Sequence, residues 1–538
     1  VKVAEPMSVD TNTLGRVAIV GLSCRVPGAS DPGEFWQLLS EGRSSISADL
    51  PRQQLSPHCF NMSECPPALR YGAFLEEALG FDAPFFGVSD REAENMDPQQ
   101  RLALELAWSA LEDAGIIPDK IAGASVGLFV GAMRDDFASL VSGRTEPTPQ
   151  TMLGSLRSVI AGRISHFFGF TGPSLVIDSG QSSSLAAINL AVESLRKGEC
   201  DLAIAGGVHL NLDPYASLSI AKLEVLSPDG QCRPFDRRAN GYVRGEGGGF
   251  IVLKRLSSAL EHGDRIYCEV LGGAIVNDGT RASLTAPAAE RALRAALSAA
   301  DVEPDQIQYI EAHGTGTPVG DLAEARSIAS VYCGRGRGAG NPLVVGFVKP
   351  NVGHLEAAAG VIGVIKVALA LKYRQLPPSL NFVYPNQVLA GYESSLRVLS
   401  AMSEWPQSDH PKTAAVSSFG ISGTNAHLII QQAPPTPAAA PAPSAVGEPW
   451  LRVWPVSART PAALAAQAQR LHHYLNTHPE LDLTEVAHSL AATRTHHPYR
   501  AVISAAATTA DPRQDLLEAL DALRAGQPHP GLTQHHRV

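Results

Sequence analysis

Short runs rich in β-branched residues alternate with segments of helical period along most of the chain, which restricts it to an α/β fold with mainly parallel strands. The runs fall into two sets of five. Val17 to Gly21, Val126 to Gly131, Leu175 to Ile177, Leu202 to Ala205 and Gly249 to Leu253 form the first set. Ile266 to Leu271, Ile307 to Ile310, Leu343 to Gly346, Ala414 to Ser417 and His427 to Ile430 form the second. Two equal sets point to an internally duplicated architecture, although the halves do not align by residue identity. One helix reads clearly: Asp97 caps it, Pro98 suits its first turn, and Leu104, Ala107, Leu111 and Ala114 make an apolar stripe ending at Gly115.

A length of 538 residues with 44% hydrophobic content suggests three or four units at roughly 100–200 residues each. The expected division is a polar extension over 1–15, two halves over 16–260 and 261–432, an Ala- and Pro-rich connector over 433–449, and a small α/β domain over 450–538. In that last domain Trp450 to Ser457 and Arg500 to Ala505 read as strands, and Ala462 to Leu475 and Leu483 to Arg494 as helices.

A formal charge of −10 without a basic stripe argues against nucleic acid as the main partner. The longest apolar stretch, Ala357 to Leu371, is broken by Lys366 and falls short of the roughly 20 residues that span a bilayer, so it reads as a buried helix. Val1 to Gly15 carries Glu5 and Asp10 and lacks the pattern of a secretory signal, which makes the cytoplasm the default; a start on Val1 suggests a fragment or a processed chain. The seven cysteines are scattered and never spaced CxxC, so neither a disulfide framework nor a zinc site is expected. The pairs His472–His473, His496–His497 and His535–His536 lack a supporting carboxylate or Cys pattern and read as solvated surface.

Three segments carry chemistry. Ile177 to Leu185 (IDSGQSSSL) joins a strand to a helix whose apolar face runs Leu185, Ile188, Val192 and Leu195, so Gln181 sits at a strand-to-helix turn beside unpaired amide hydrogens. Such a turn suits a nucleophile or a bound oxyanion. Glu311 to Pro318 (EAHGTGTP) places His313 after a strand among small residues, and Lys349 to Glu356 (KPNVGHLE) places His354 between a strand and an apolar helix. Neither a dinucleotide fingerprint nor a GK[ST] phosphate loop occurs, which argues against nucleotide binding.

Together with Val17 to Gly21 (VAIVG), Met96 to Arg101 (MDPQQR), Arg233 to Asp236 (RPFD), Gly245 to Gly247 (GEG) and Ser418 to His427 (SFGISGTNAH), these segments resemble the β-ketoacyl synthase domain of a modular polyketide synthase, from about Arg16 to Gln432. The stretch from Trp450 onward is similar to the linker that precedes an acyltransferase in such proteins. The resemblance implies a thiolase fold, a duplicated five-layer αβαβα arrangement that is usually a homodimer, with a Cys-His-His site. Gln181 occupies the Cys position, and His313 and His354 match the histidines. Thr315 and Thr317 match positions that hydrogen-bond a phosphopantetheine arm, Phe419 matches a gating aromatic, and Lys349 is expected either to orient His354 through a network with Glu356 or to form a structural ion pair.

An amide nitrogen is delocalised into its carbonyl and cannot replace a thiolate, so condensation is expected to be lost. Decarboxylation of a malonyl thioester needs only donors on the developing enolate oxygen, which two imidazole N–H groups supply. Ketosynthase-like domains with this Gln resemble chain-initiating loading domains. The expected reaction is therefore conversion of malonyl- or methylmalonyl-acyl carrier protein to an acetyl or propionyl starter, with no cofactor in this chain beyond the phosphopantetheine of the partner carrier protein. The Gln carboxamide is expected to place its carbonyl against the backbone N–H groups of residues 181 and 419. Arg233, Arg237 and Arg238 are candidates for docking the carrier. An acyltransferase is expected after residue 538. The competing readings are a condensing enzyme carrying an engineered Gln, and a silent scaffold that only dimerises and docks carriers. Pro350 stands where a serine is commoner in the family, and Ser179-Gly180 replace the usual Thr-Ala, which favours a natural Gln site.

Overall fold

The computed structural model describes residues 15–48, 66–142, 146–279, 285–334, 337–338, 340–435, 451–506 and 510–536. Nearly all of the polar extension and of the Ala/Pro-rich connector lies outside them. Two compact units emerge, Val1–Ala114 with Ala122–Pro434, and Gly115–Ile121 with Pro435–Val538.

The first unit holds strands β1 (Val17–Arg25), β2 (Val126–Gly131), β3 (Ser174–Ile177), β4 (Leu202–His209) and β5 (Gly247–Arg255), then β6 (Cys268–Asn277), β7 (Tyr309–Glu311), β8 (Leu343–Gly346), β9 (Gln375–Leu376), β10 (Leu396–Val398), β11 (Ser403–Glu404), β12 (Thr413–Phe419) and β13 (Thr424–Gln432). All ten expected strands are present. β9 and β11 pair with each other, and the other eleven join in the order β10-β8-β7-β12-β13-β6-β1-β5-β4-β2-β3. Read outward from the β6–β1 junction, five strands of each half repeat one plan, β1-β5-β4-β2-β3 matching β6-β13-β12-β7-β8, and the second half adds β10 in parallel at its edge. The pairings of the outer three in each half are parallel and the inner ones antiparallel. The duplication is thus one of topology, which residue identity does not reveal.

Helices Ser183–Lys197 and Ala359–Tyr373 form the middle layer and touch strands of both halves, while Pro98–Asp113 covers the first half and Ala286–Ala300 the second. That is the expected αβαβα thiolase arrangement. β2 and β4 are buried on both faces, which is why they read as continuous apolar runs rather than alternating ones. The same holds for the middle helix: every residue from Ala359 to Leu371 is buried, and Lys366 is accommodated by an ion pair with Glu311 at 2.6 Å. Gly360 marks the closest approach of the two middle helices. A Cβ there would lie 2.7 Å from Leu185 Cβ and 2.9 Å from Leu185 N, so only glycine lets the helix that follows Gln181 pack this close.

The second unit is an antiparallel sheet of β14 (Leu451–Ala458), β15 (Tyr499–Ala506) and β16 (Leu532–His536), in that order. Helices Pro461–Thr477, Leu483–Ala492 and Pro512–Ala525 accompany it, and Trp454, Leu464, Leu475, Ile503, Leu516 and Leu520 share its core. The third helix and β16 extend the small α/β unit beyond the elements read from sequence. Among the described residues no helix is long and apolar enough to cross a membrane, and no group of three His, Cys, Asp or Glu is placed to hold a metal.

Candidate active site

The site residues stand where strands of the first unit end. β3 stops at Ile177 and the chain turns through Asp178, Ser179 and Gly180 before Ser182 opens the helix Ser183–Lys197. The Asp178 carboxylate accepts the Gly180 N–H at 3.1 Å and holds the turn. Gln181 is half-buried there, two residues ahead of the helix. Its backbone carbonyl accepts from Ser418 Oγ at 2.8 Å and its side-chain Oε1 accepts the Ile421 N–H at 2.9 Å. The expected seat of that carboxamide, the N–H groups of residues 181 and 419, is therefore corrected. The Phe419 N–H is directed to His313 Nδ1 at 3.4 Å, and the longer Gln side chain reaches past it to the next turn.

His313 follows β7 and is 7% exposed; His354 follows the short helix Lys349–Val352 and is 1% exposed. Their ring centres are 5.4 Å apart at 78°, and the Phe419 ring lies 5.5 Å from His313. His354 Nδ1 accepts the Glu356 N–H at 3.0 Å. A neutral imidazole that accepts at Nδ1 carries its proton on Nε2, so both rings are held as Nε2–H donors. They remain neutral: burial, then the nearby Lys349 cation, push each pKa well below the usual imidazole value, and His313 adds to the effect on His354. Burial likewise lowers Lys349, against the raising influence of Glu324, Cys232, Glu311 and Asp321.

Lys349 does not act through Glu356 on His354, as the sequence reading has it. Its Nζ donates to the backbone carbonyl of His313, and the Glu356 carboxylate is engaged instead by Arg244 Nε at 2.8 Å. Position explains the difference. Lys349 starts the short helix before His354 and points toward the His313 loop, whereas Glu356 lies beyond His354 in a backbone conformation of φ +41°.

The His313 loop is clamped from the helix Pro318–Tyr332. Glu324 accepts the N–H groups of His313 and Gly314 at 2.7 and 2.8 Å, and Asp321 accepts those of Phe235 and Gly316 at 2.7 and 3.0 Å. Burial raises Asp321 to about 8 and Glu324 to about 7, against the lowering effect of those N–H groups. The sequence reading missed this pair; three-residue spacing on one helix face was the available signal. Gly316 has φ +74°, and a Cβ there would come within 2.9 Å of Arg233 N. Thr315 and Thr317 flank it with their hydroxyls 2.9 Å apart. The structure therefore links Gln181, His313, His354, Lys349, Phe419, Thr315 and Thr317 in one contiguous region. Of the docking candidates, Arg233 pairs with Asp229, Arg238 grips Asp236, and Arg237 lies 4.2 Å over the Tyr384 ring.

Comparison with known proteins gives this arrangement its class. The β-ketoacyl synthase N-terminal domain matches residues 15–259, its C-terminal domain residues 267–383, and the ketoacyl-synthetase C-terminal extension residues 385–503. A ketosynthase from module 6 of the bacillaene synthase of Bacillus subtilis 168 superposes with a TM-score of 0.85 at 33% identity, covering 97% of this chain and 87% of that one. An oxazolomycin ketosynthase domain from Streptomyces albus does so at 0.86 and 32%, covering 96% and 90%. The chain belongs to the β-ketoacyl synthase family, as a ketosynthase domain of the modular polyketide synthase type with its C-terminal extension. Polyketide synthase GfsA of Streptomyces halstedii is 45% identical over 529 residues, which are 95% of this chain and 7% of that protein. The spectinabilin polyketide synthase system protein NorA of Streptomyces orinoci is 40% identical over 523 residues, 96% of this chain and 27% of that protein. The chain thus spans under a third of the length of these curated relatives.

Proposed function

We propose that this chain decarboxylates a malonyl or methylmalonyl thioester on the phosphopantetheine arm of an acyl carrier protein, leaving an acetyl or propionyl starter on that arm. The observation that carries the reading is Gln181, whose carboxamide bonds to the Ile421 N–H at the turn where the family's nucleophile belongs. In the reaction the bond from the α-carbon to the carboxylate breaks, carbon dioxide leaves, and the electron pair passes into the thioester as an enolate. His313 and His354 donate from Nε2 to the enolate oxygen, and a proton from solvent then completes the α-carbon. One such donor is typically worth about 2.7–4 kcal/mol of barrier. Lys349 holds the carbonyl of His313 and Phe419 flanks the ring; on this reading Thr315 and Thr317, whose hydroxyls lie 2.9 Å apart, hydrogen-bond the arm. On the same reading the chain works as a homodimer in the cytoplasm, residues 450–538 link it to an acyltransferase, and 16–260 and 261–432 are its two catalytic halves.

A second reading is a condensing β-ketoacyl synthase that carries an engineered Gln in place of its Cys at position 181. The similar solved structures from Bacillus subtilis and Streptomyces albus are ketosynthases by name, which supports the condensing reading. Residue 181 supports the first reading, because a carboxamide cannot accept an acyl group from a thioester. The test is intact-mass analysis of malonyl- and methylmalonyl-carrier protein after incubation with the chain. Loss of the mass of carbon dioxide from the carrier supports decarboxylation, and an unchanged carrier mass at high enzyme concentration removes it.

A further inference from the structure

Behind His354 lies a buried group of charges to which the reaction above assigns no part. Glu356 Oε1 receives Arg244 Nε at 2.8 Å, while Oε2 lies 3.8 Å from His209 Nε2 and 3.9 Å from Arg134 Nε. Arg244 is itself fixed, donating from Nη1 to Ser217 Oγ at 2.6 Å. Burial opposes the charge on Glu356, yet Arg244 and then His209 hold its pKa at about 2, so the carboxylate stays ionised. The same residue adopts φ +41°, in the left-handed region that L side chains rarely enter. In that conformation its N–H meets Nδ1 of His354 at 3.0 Å.

We propose that the Arg244–Glu356 pair is a positioning device: by anchoring the Glu356 side chain it keeps the backbone left-handed and the N–H on His354 Nδ1, which fixes the ring proton on Nε2. Among the described residues that contact is the hydrogen bond that distinguishes the two ring nitrogens of His354, and a ring protonated on Nδ1 presents a lone pair, not a donor, at Nε2. A purely structural ion pair would stabilise the fold without choosing the tautomer. The kinetic arm of this inference rests on the decarboxylase reading; the tautomer itself does not.

The experiment uses the full chain labelled with 15N-histidine, the His354 ring signals being assigned by their loss in His354→Gln. In the parent, Nδ1 of His354 is expected to give the signal of an unprotonated ring nitrogen and Nε2 that of a protonated one. Glu356→Ala should bring the two toward averaged values and lower the kcat of decarboxylation at least tenfold, with KM changed less than twofold. Glu356→Gly should fall between parent and Ala on both counts, since glycine enters the left-handed region freely. Arg244→Lys keeps the charge but loses the planar donor at Nε, and should shift the His354 signals part of the way. Unchanged His354 signals in Glu356→Ala, or Gly and Ala variants that behave alike, would overturn the inference. If Glu356→Ala does not fold, unchanged signals in Arg244→Lys have the same force. A parent chain that fails to decarboxylate removes the proposed function and leaves the spectroscopic test standing.

Discussion

Replacing Gln181 by Cys asks the turn directly whether it is a nucleophile position. Residue 181 is half-buried and stands two residues before a fifteen-residue helix whose N-terminal end carries positive partial charge. A partly buried anion at such an end gains up to ~2 kcal/mol, and 1.36 kcal/mol is one pKa unit. A gain of about 1.4 kcal/mol, within that bound, should lower a thiol of ordinary pKa near 8.5 to about 7.5. At pH 7.5 its thiolate fraction then rises from roughly 9% to about 50%, a gain of about fivefold. The assay is the rate of iodoacetamide alkylation against pH, followed by intact mass after exposure to an acyl thioester. The Cys-free turn of the parent chain supplies the background. Cys24, Cys200, Cys232, Cys268 and Cys333 contribute little to it, because burial pushes every one of these thiols up. Gln181→Cys should also give up its bond to Ile421, take up one acyl group, and form some β-ketoacyl product when malonyl-carrier protein follows. A thiol in the Gln181→Cys variant that titrates at or above 8.5 and acquires no acyl group would refute both the electrostatic argument and the assignment of the turn.

His313→Ala and His354→Ala should each slow decarboxylation by roughly 10²-fold, read from carrier mass against time. The double variant should lose less than the product of the two, because the donors act on one oxygen; near-normal rates in both single variants would place the charge stabilisation elsewhere. His427 is buried between Tyr332 and Ser417, and burial drops its pKa to about 3. Its folded pKa lies below the ordinary value of about 6.5, so the unfolded chain binds the proton first as pH falls, and stability is lost from pH 6.5 down through pH 3. At pH 5 that amounts to about 2 kcal/mol, and His427→Gln should flatten the fall of apparent Tm between pH 6.5 and 5, measured at one scan rate. An equally steep fall in the variant would assign the acid sensitivity to other groups.

The strands and the middle helices were legible because a buried parallel strand writes itself as a continuous apolar run, and Ala357 to Leu371 could only be interior. Gln181, His313 and His354 were legible for a different reason: each lies in a short, glycine-containing motif that follows a strand, and the motifs together carry the family resemblance. Their partners were not. Lys349 serves a carbonyl 36 positions away and Arg244 a carboxylate 112 positions away, and nothing in local pattern encodes such distances. The seat of the Gln181 carboxamide was misjudged because a one-dimensional reading cannot tell which of several neighbouring N–H groups, Phe419 or Ile421, is already committed. The third helix and last strand of the small unit escaped because Pro512–Ala525 carries charge around a narrow apolar stripe.

The repeated strand plan has a bearing on how such a site changes its chemistry. Gln181 follows the third strand of the first half, and the segment leading to His354 follows the third strand of the second; His313 follows the second strand of the second half. On the proposed reaction, one copy of the plan therefore supplies Gln181, and the other supplies both histidines that steady the enolate. A substitution at Gln181 leaves in place the bonds made directly to the ring segments, since these come from Phe419, Glu324, Lys349 and Glu356, all in the second; what the first copy contributes behind them is Arg244, which holds Glu356. On that reading two chemical duties fall to separate copies of one strand plan, so the residue at 181 can change while both histidines are kept.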